Sequence, residues 1–205
     1  MKSKRAIIAP AETNRRAQRN RIILFTTLGL AIAIVIAVVA FYSRVPKTAS
    51  TAPLQSDIKV GDVAPEFAVA TTSGPFDLKQ VQAGGKPVFL EVFATWCPHC
   101  QHEVPTIDNL YKQFGSKIAF VGVSGSPYGM DGSTPESQND VIQFQQQLGV
   151  TYPIAYDPAL DVAGKYLSGG YPTIAIIDKS GKVTYLGSGE LSPADLTKQI
   201  NKVIQ

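Results

Sequence analysis

Hydrophobic and polar residues fall into three regimes along this chain. Residues 1–21 are polar and basic, with Lys2, Lys4, Arg5, Arg15, Arg16, Arg19 and Arg21. Ile22–Tyr42 then runs for 21 residues without a charge. At about 1.5 Å rise per residue, a helix of that length spans a bilayer core of about 30 Å. A cleaved signal peptide has a shorter apolar region, of about 7–15 residues, and no small-x-small cleavage site closes this run. Residues 22–42 are therefore expected to be a transmembrane anchor, with Phe41 and Tyr42 at the interface. Residues 43–57, rich in Ser, Thr, Ala and Pro, read as a flexible linker. The folded domain is expected over residues 58–205.

Within that domain the period of the pattern changes repeatedly. Glu66–Thr71 and Gly74–Leu78 read as a short hairpin, and Pro87–Ala94 is the continuous apolar run of a buried central strand. Cys97–Phe114 has helical spacing through Val104, Ile107, Leu110, Tyr111 and Phe114. Ile118–Val123 is a second buried strand, Gln138–Leu148 a helix stopped by Gly149, Tyr152–Tyr156 a short strand and Ala159–Leu167 another helix. Thr173–Ile177 and Lys182–Leu186 form a hairpin around Asp178-Lys179-Ser180-Gly181. A last helix opens on the capping box Ser192-Pro193-Ala194-Asp195 and turns Leu196, Ile200 and Val203 inward. This order predicts an α/β sandwich: a central mixed sheet flanked by helices.

Charge sharpens the division. Residues 1–57 hold nine Lys or Arg against Glu12 and Asp57, whereas residues 58–205 hold ten Lys against fourteen acids and no Arg. The basic balance belongs to the tail, so the domain lacks the electrostatic footprint of a nucleic-acid binder. Positive charge before the span and little after it places the N-terminus inside and the domain on the extracytoplasmic face of the cytoplasmic membrane, in a single pass.

The two cysteines, Cys97 and Cys100, are three residues apart. A disulfide closing so short a loop adds little chain-entropy stabilisation, so the pair points to redox or metal chemistry. Cys97 stands at a helix start, where unpaired N–H groups and the helix dipole lower a thiol's pKa, and is expected to be an exposed nucleophile. Cys100, one turn in, is the expected resolving thiol. Pro98 stiffens the first turn. His99 either lends positive charge to the Cys97 thiolate or is a solvated surface residue. Glu91 interrupts an apolar strand: buried, it would have a raised pKa and exchange protons with Cys100; at a strand edge it would face solvent. Glu103 shares the helix face of Cys100 and His99 and is either part of the site or a plain surface glutamate, and His102 reads as a solvated helix residue. Trp96 is either part of a substrate surface or core packing. The Gly-, Ser- and Pro-rich stretch Ser124–Ser137 is either a docking loop or a surface excursion.

The run Phe93-Ala94-Thr95-Trp96-Cys97-Pro98-His99-Cys100, with Glu91 six residues before Cys97, Pro105 five after Cys100 and Tyr171-Pro172-Thr173 before a strand, resembles the thioredoxin superfamily. Within it the membrane-anchored TlpA/ResA-like redoxin branch is the most similar, from Ile58 to the C-terminus. The resemblance implies a thioredoxin-like fold, a redox disulfide Cys97–Cys100, a cis-proline at Pro172, substrate contacts from the Tyr171 backbone and Thr173, and a carboxylate near the site at Glu103. Tyr171 departs from the small or β-branched residue expected at its position. The resemblance further implies reduction of disulfides in exported proteins, for example in cytochrome c maturation, with electrons from a CcdA/DsbD-like membrane protein. No cofactor or metal is implied.

Other readings bring different residues. A peroxiredoxin needs Pro-x-x-x-Thr/Ser-x-x-Cys and an Arg, but Leu90 and Ala94 occupy those positions. A Sco-type copper chaperone has wider cysteine spacing and a distant His, and no His follows His102. The Pro98-His99 dipeptide is that of DsbA-like oxidases, whose partner would be a membrane oxidase. The direction of electron flow is therefore the open question.

Overall fold

The apolar run before the cysteines forms β3 (Val88–Phe93), a central strand with all six side chains buried. The computed structural model describes residues 55–205 together with Phe25, so the rest of the expected anchor and most of the linker lie outside the described residues. Among the described residues no helix is long and apolar enough to cross a membrane. Period-two alternation sends Phe89, Glu91 and Phe93 to one face of β3 and Val88, Leu90 and Val92 to the other. Two apolar clusters follow, one containing Phe89 and Phe93 and one containing Val88, Leu90 and Val92.

Beside β3 run β4 (Ala119–Ser124) in parallel and β6 (Thr173–Ile177) antiparallel. A hairpin of β1 (Ala68–Thr71) and β2 (Gly74–Asp77) joins through β5 (Ile154–Tyr156), and β7 (Val183–Ser188) closes the other edge. The mixed sheet thus has the order β2-β1-β5-β4-β3-β6-β7. Among the described residues five helices cover it: α1 (Leu78–Ala83), α2 (Pro98–Phe114), α3 (Gln138–Leu148), α4 (Asp161–Tyr166) and α5 (Pro193–Val203). On the Phe93 face, Val104 and Ile107 of α2, Phe144 of α3 and Leu196 of α5 enter one cluster; Phe93 stacks on Phe144 at 4.8 Å. Leu78, Val162 and Tyr166 cover the opposite face.

Three details depart from the sequence pattern. The short helix α1 was not expected; the Asp77 side chain caps it by accepting the Gln80 N–H. Helix α4 begins at Asp161 instead of Ala159, because the Asp157 carboxylate accepts the N–H groups of Asp161, Val162 and Ala163 while Leu160 turns left-handed at φ 54°. At the start of α5, Ser192 accepts the Asp195 N–H, but Asp195 takes the Ser192 hydroxyl in place of its N–H; a full reciprocal capping box stands at Ser137 and Asp140 before α3.

Candidate active site

Cys97 is the N-cap of α2, with extended backbone, and Pro98 fills the first helical position. Both cysteines are free thiols. Cys100 is fully buried, and Cys97 is only 4% exposed. The sequence argued for an exposed Cys97. The difference arises because the segment before β6 lies over it, with the Tyr171 carbonyl oxygen 3.7 Å from Cys97 Sγ. The Tyr171–Pro172 peptide bond is cis.

Glu91 is buried in the sheet interior, not at a strand edge. Desolvation pushes its carboxyl up to about 8, against a hydrogen bond from the Tyr152 hydroxyl at 2.8 Å. Gly122 on β4 lies directly across from Glu91, and a Cβ there would sit 3.0 Å from Tyr152 and 3.3 Å from Glu91 Oε2. The missing side chain is what gives Tyr152 room to reach the acid. Burial also drives the Cys100 thiol far above its ordinary range, with the Glu91 charge adding to the effect.

The segment Gly189–Leu191 ties two sides of the site together. Gly189 N–H donates to the Pro172 carbonyl at 2.9 Å. Glu190 Oε1 lies 2.6 Å from His99 Nδ1 and 3.7 Å from His102 Nδ1. Leu191 N–H donates to Glu103 Oε1 at 3.0 Å. Glu103 is buried, with its other oxygen unpartnered among the described residues, and burial raises its carboxyl to about 7. It is not a surface glutamate. His99 is exposed, as a solvated residue would be, yet its ring is engaged by a carboxylate.

Trp96 and Tyr171 meet edge to face at 6.0 Å. Trp96 Nε1 donates to Ser126 Oγ at 2.7 Å, and the Tyr171 hydroxyl donates to the Gly125 carbonyl at 2.6 Å. Thr173 is buried, and its hydroxyl serves the Ser168 and Gly170 carbonyls, bracing the loop before Pro172. The structure thus brings Glu91, Trp96, Cys97, Pro98, His99, Cys100, Glu103, Tyr171 and Pro172 together, with Thr173 behind them. Sequence reasoning missed Tyr152, Glu136 and Glu190. Each reaches the site across tens of residues, and the apolar alternation around Gly122 is the one local signal, since it leaves a gap opposite Glu91.

Among the described residues no group of three or more His, Cys, Asp or Glu is placed to hold a metal ion. The arrangement is a buried dithiol at a helix start, with a proton-holding acid behind the inner thiol. The thiol-disulfide oxidoreductase ResA of Bacillus thuringiensis (strain Al Hakam) is 33% identical over 147 residues, covering 71% of this chain and 79% of its own. The thiol-disulfide oxidoreductase ResA of Oceanobacillus iheyensis is 29% identical over 196 residues, 94% of either chain. A solved thiol:disulfide interchange protein of the thioredoxin family from Chlorobium tepidum TLS superposes with a TM-score of 0.54 at 27% identity, over 73% of this chain and all of that one. The Redoxin family profile matches residues 59–204. The chain therefore belongs to the redoxin family and is a thioredoxin-fold thiol–disulfide oxidoreductase.

Proposed function

We propose that the chain is a membrane-anchored reductant of disulfides in exported proteins. Residues 1–21 lie inside, 22–42 span the cytoplasmic membrane, and the domain works on the extracytoplasmic face. Cys97 is the nucleophile. Its thiolate attacks a client disulfide, forming a mixed disulfide and releasing one client thiolate. Cys100 then attacks Cys97 Sγ, freeing the second client thiol and leaving the Cys97–Cys100 disulfide. Glu91 takes the Cys100 proton as that thiol becomes the attacking thiolate. Glu103 is a second buried acid near the pair, and the cis-Pro172 loop offers the Tyr171 carbonyl to an extended client beside Cys97. A CcdA/DsbD-like membrane protein returns two electrons, and apocytochrome c is a candidate client.

One observation carries the direction: Glu190 holds His99. In a Cys-Pro-His-Cys site the imidazolium is the charge that would stabilise the Cys97 thiolate and make the disulfide oxidising. Here the Glu190 carboxylate lies 2.6 Å from that ring and offsets its effect on Cys97. Glu91 and Glu103 add acid to the same site, and no Arg occurs in residues 58–205. A destabilised Cys100 thiolate favours the disulfide and hence electron donation. The test is the reduction potential of Cys97–Cys100 with the Cys97 pKa. A potential near the thioredoxin end, about −270 mV, is expected; one near about −120 mV assigns the chain to the DsbA-like oxidases.

A further inference from the structure

The 14 residues Ser124–Ser137 form an ordered lip on the active site. Tyr128 pairs with Pro135 in an antiparallel bridge, Gly129 N–H donates to the Thr134 carbonyl, and Asp131 accepts the N–H groups of Ser133 and Thr134. Compact loops with closed ends of this kind commonly carry function. Three of its bonds run to residues that flank the thiols. Gly125 accepts from Tyr171, Ser126 accepts from Trp96, and Glu136 Oε1 accepts from Thr95 Oγ1 at 3.0 Å and from Ser124 Oγ at 2.6 Å. Glu136 is 6% exposed, and its Oε2 is buried without a partner among the described residues. Thr95, two residues before Cys97, is fully buried. A buried carboxyl with no cation is costly to keep, and its one engaged oxygen joins the lip to the turn that leads into Cys97.

We propose that Glu136 is a positioning residue that anchors the lip, and that the lip recognises the polypeptide around a client cysteine, favouring a large apolar neighbour. The lip continues the surface where the Tyr171 carbonyl meets Cys97 Sγ. It exposes Tyr128, 48% accessible, and sets the half-buried Met130 in the apolar cluster that Trp96 and Tyr171 also join. An apolar side chain next to the client cysteine would gain that surface, whereas a small disulfide would not reach it. Burial raises the Glu136 carboxyl to about 7, so glutamine, which keeps the accepting oxygen, imitates its neutral form.

This inference rests on thiol–disulfide exchange at Cys97. Its test is single-turnover oxidation of the reduced, full-length protein by two probes, followed by Trp96 fluorescence. One probe is oxidised glutathione. The other is a ten-residue peptide, with leucines flanking one cysteine, held as its mixed disulfide with glutathione. In either case one probe S–S bond breaks, the Cys97–Cys100 bond forms, and two electrons and two protons pass to the probe's two thiols. Wild type is expected to prefer the peptide at least tenfold in second-order rate, and to lose that preference when glycines replace the leucines. Glu136→Ala should abolish it through a roughly tenfold higher half-saturation concentration, leaving the maximal rate and the glutathione rate within twofold. Thr95→Val should do the same from the other side of the bond, and Glu136→Gln should restore the preference. A wild type without preference, an equal loss with both probes, or a Glu136→Gln no better than Glu136→Ala overturns the inference. No oxidation of wild type by either probe overturns the exchange reading itself.

Discussion

Replacing Glu91 by Gln isolates the energetic consequence of placing an acid inside the sheet. The folded protein holds the Glu91 proton up to about pH 8, whereas an ordinary carboxyl releases it near 4.5. Folding therefore takes up a proton between those values. Stability is greatest below pH 4.5 and is lost as the pH rises toward 8. At about 1.36 kcal/mol per unit, the raised carboxyl costs about 3 kcal/mol at pH 7 and about 4 kcal/mol at pH 8, against about 1 kcal/mol at pH 5. Gln resembles the protonated acid in shape, can still accept from the Tyr152 hydroxyl, and carries no such cost. Denaturant unfolding of the reduced wild type and of Glu91→Gln at pH 5, 6, 7 and 8 should give stabilities that diverge. The variant should gain about 3–4 kcal/mol relative to wild type between the ends of that range. A gap that stays constant within about 0.5 kcal/mol would mean that Glu91 is ionised in the folded protein at all four values, and would refute the proton-holding argument.

Four further outcomes are expected. Cys100→Ser should accumulate mixed disulfides through Cys97, visible on non-reducing gels; adducts seen only with Cys97→Ser would reverse the assignment of roles. Tyr152→Phe removes the hydrogen bond that lowers the Glu91 carboxyl, so the Glu91 titration followed by carbon NMR should move above 8. Gly122→Ala forces a Cβ to 3.0 Å from Tyr152 and should destabilise the protein by about 1–3 kcal/mol in denaturant unfolding. Glu103→Gln should remove a step near pH 7 from the exchange-rate profile while keeping the Leu191 contact, since burial raises that carboxyl to about 7; an unchanged profile would exclude it from proton traffic.

Much of this site was written in local pattern. A six-residue apolar strand, a helical period beginning at Cys97 and a Tyr-Pro-Thr before the next strand are all short-range signals, and each lands within a residue or two of its place. Gly149 ends α3 in the left-handed conformation that glycine adopts freely. What sequence could not carry is pairing between distant polar residues. His99 meets Glu190 91 positions away, Glu91 meets Tyr152 at 61, and Thr95 meets Glu136 at 41. Glu136 sits among Gly, Ser and Pro, where no period marks an inward-facing position. Helix α1 is six residues, half of them polar, too short for an amphipathic stripe to show. The cover over Cys97 is hidden for the same reason: a helix start is open unless another segment covers it, and that segment is 74 residues on.

The cover over Cys97 bears on chemical durability. Cysteines are lost to sulfinic and sulfonic acid when a thiolate stands open to peroxide, and susceptibility follows exposure as well as thiolate character. With Cys97 only 4% accessible and Cys100 sealed beneath it, the reduced pair presents almost no sulfur to dissolved oxidants. A first oxidation of Cys97 would also be met by the thiol of Cys100 one helical turn away, which closes a reversible disulfide before the irreversible steps. The same few atoms of backbone that narrow the approach of a partner thus let the dithiol persist between encounters.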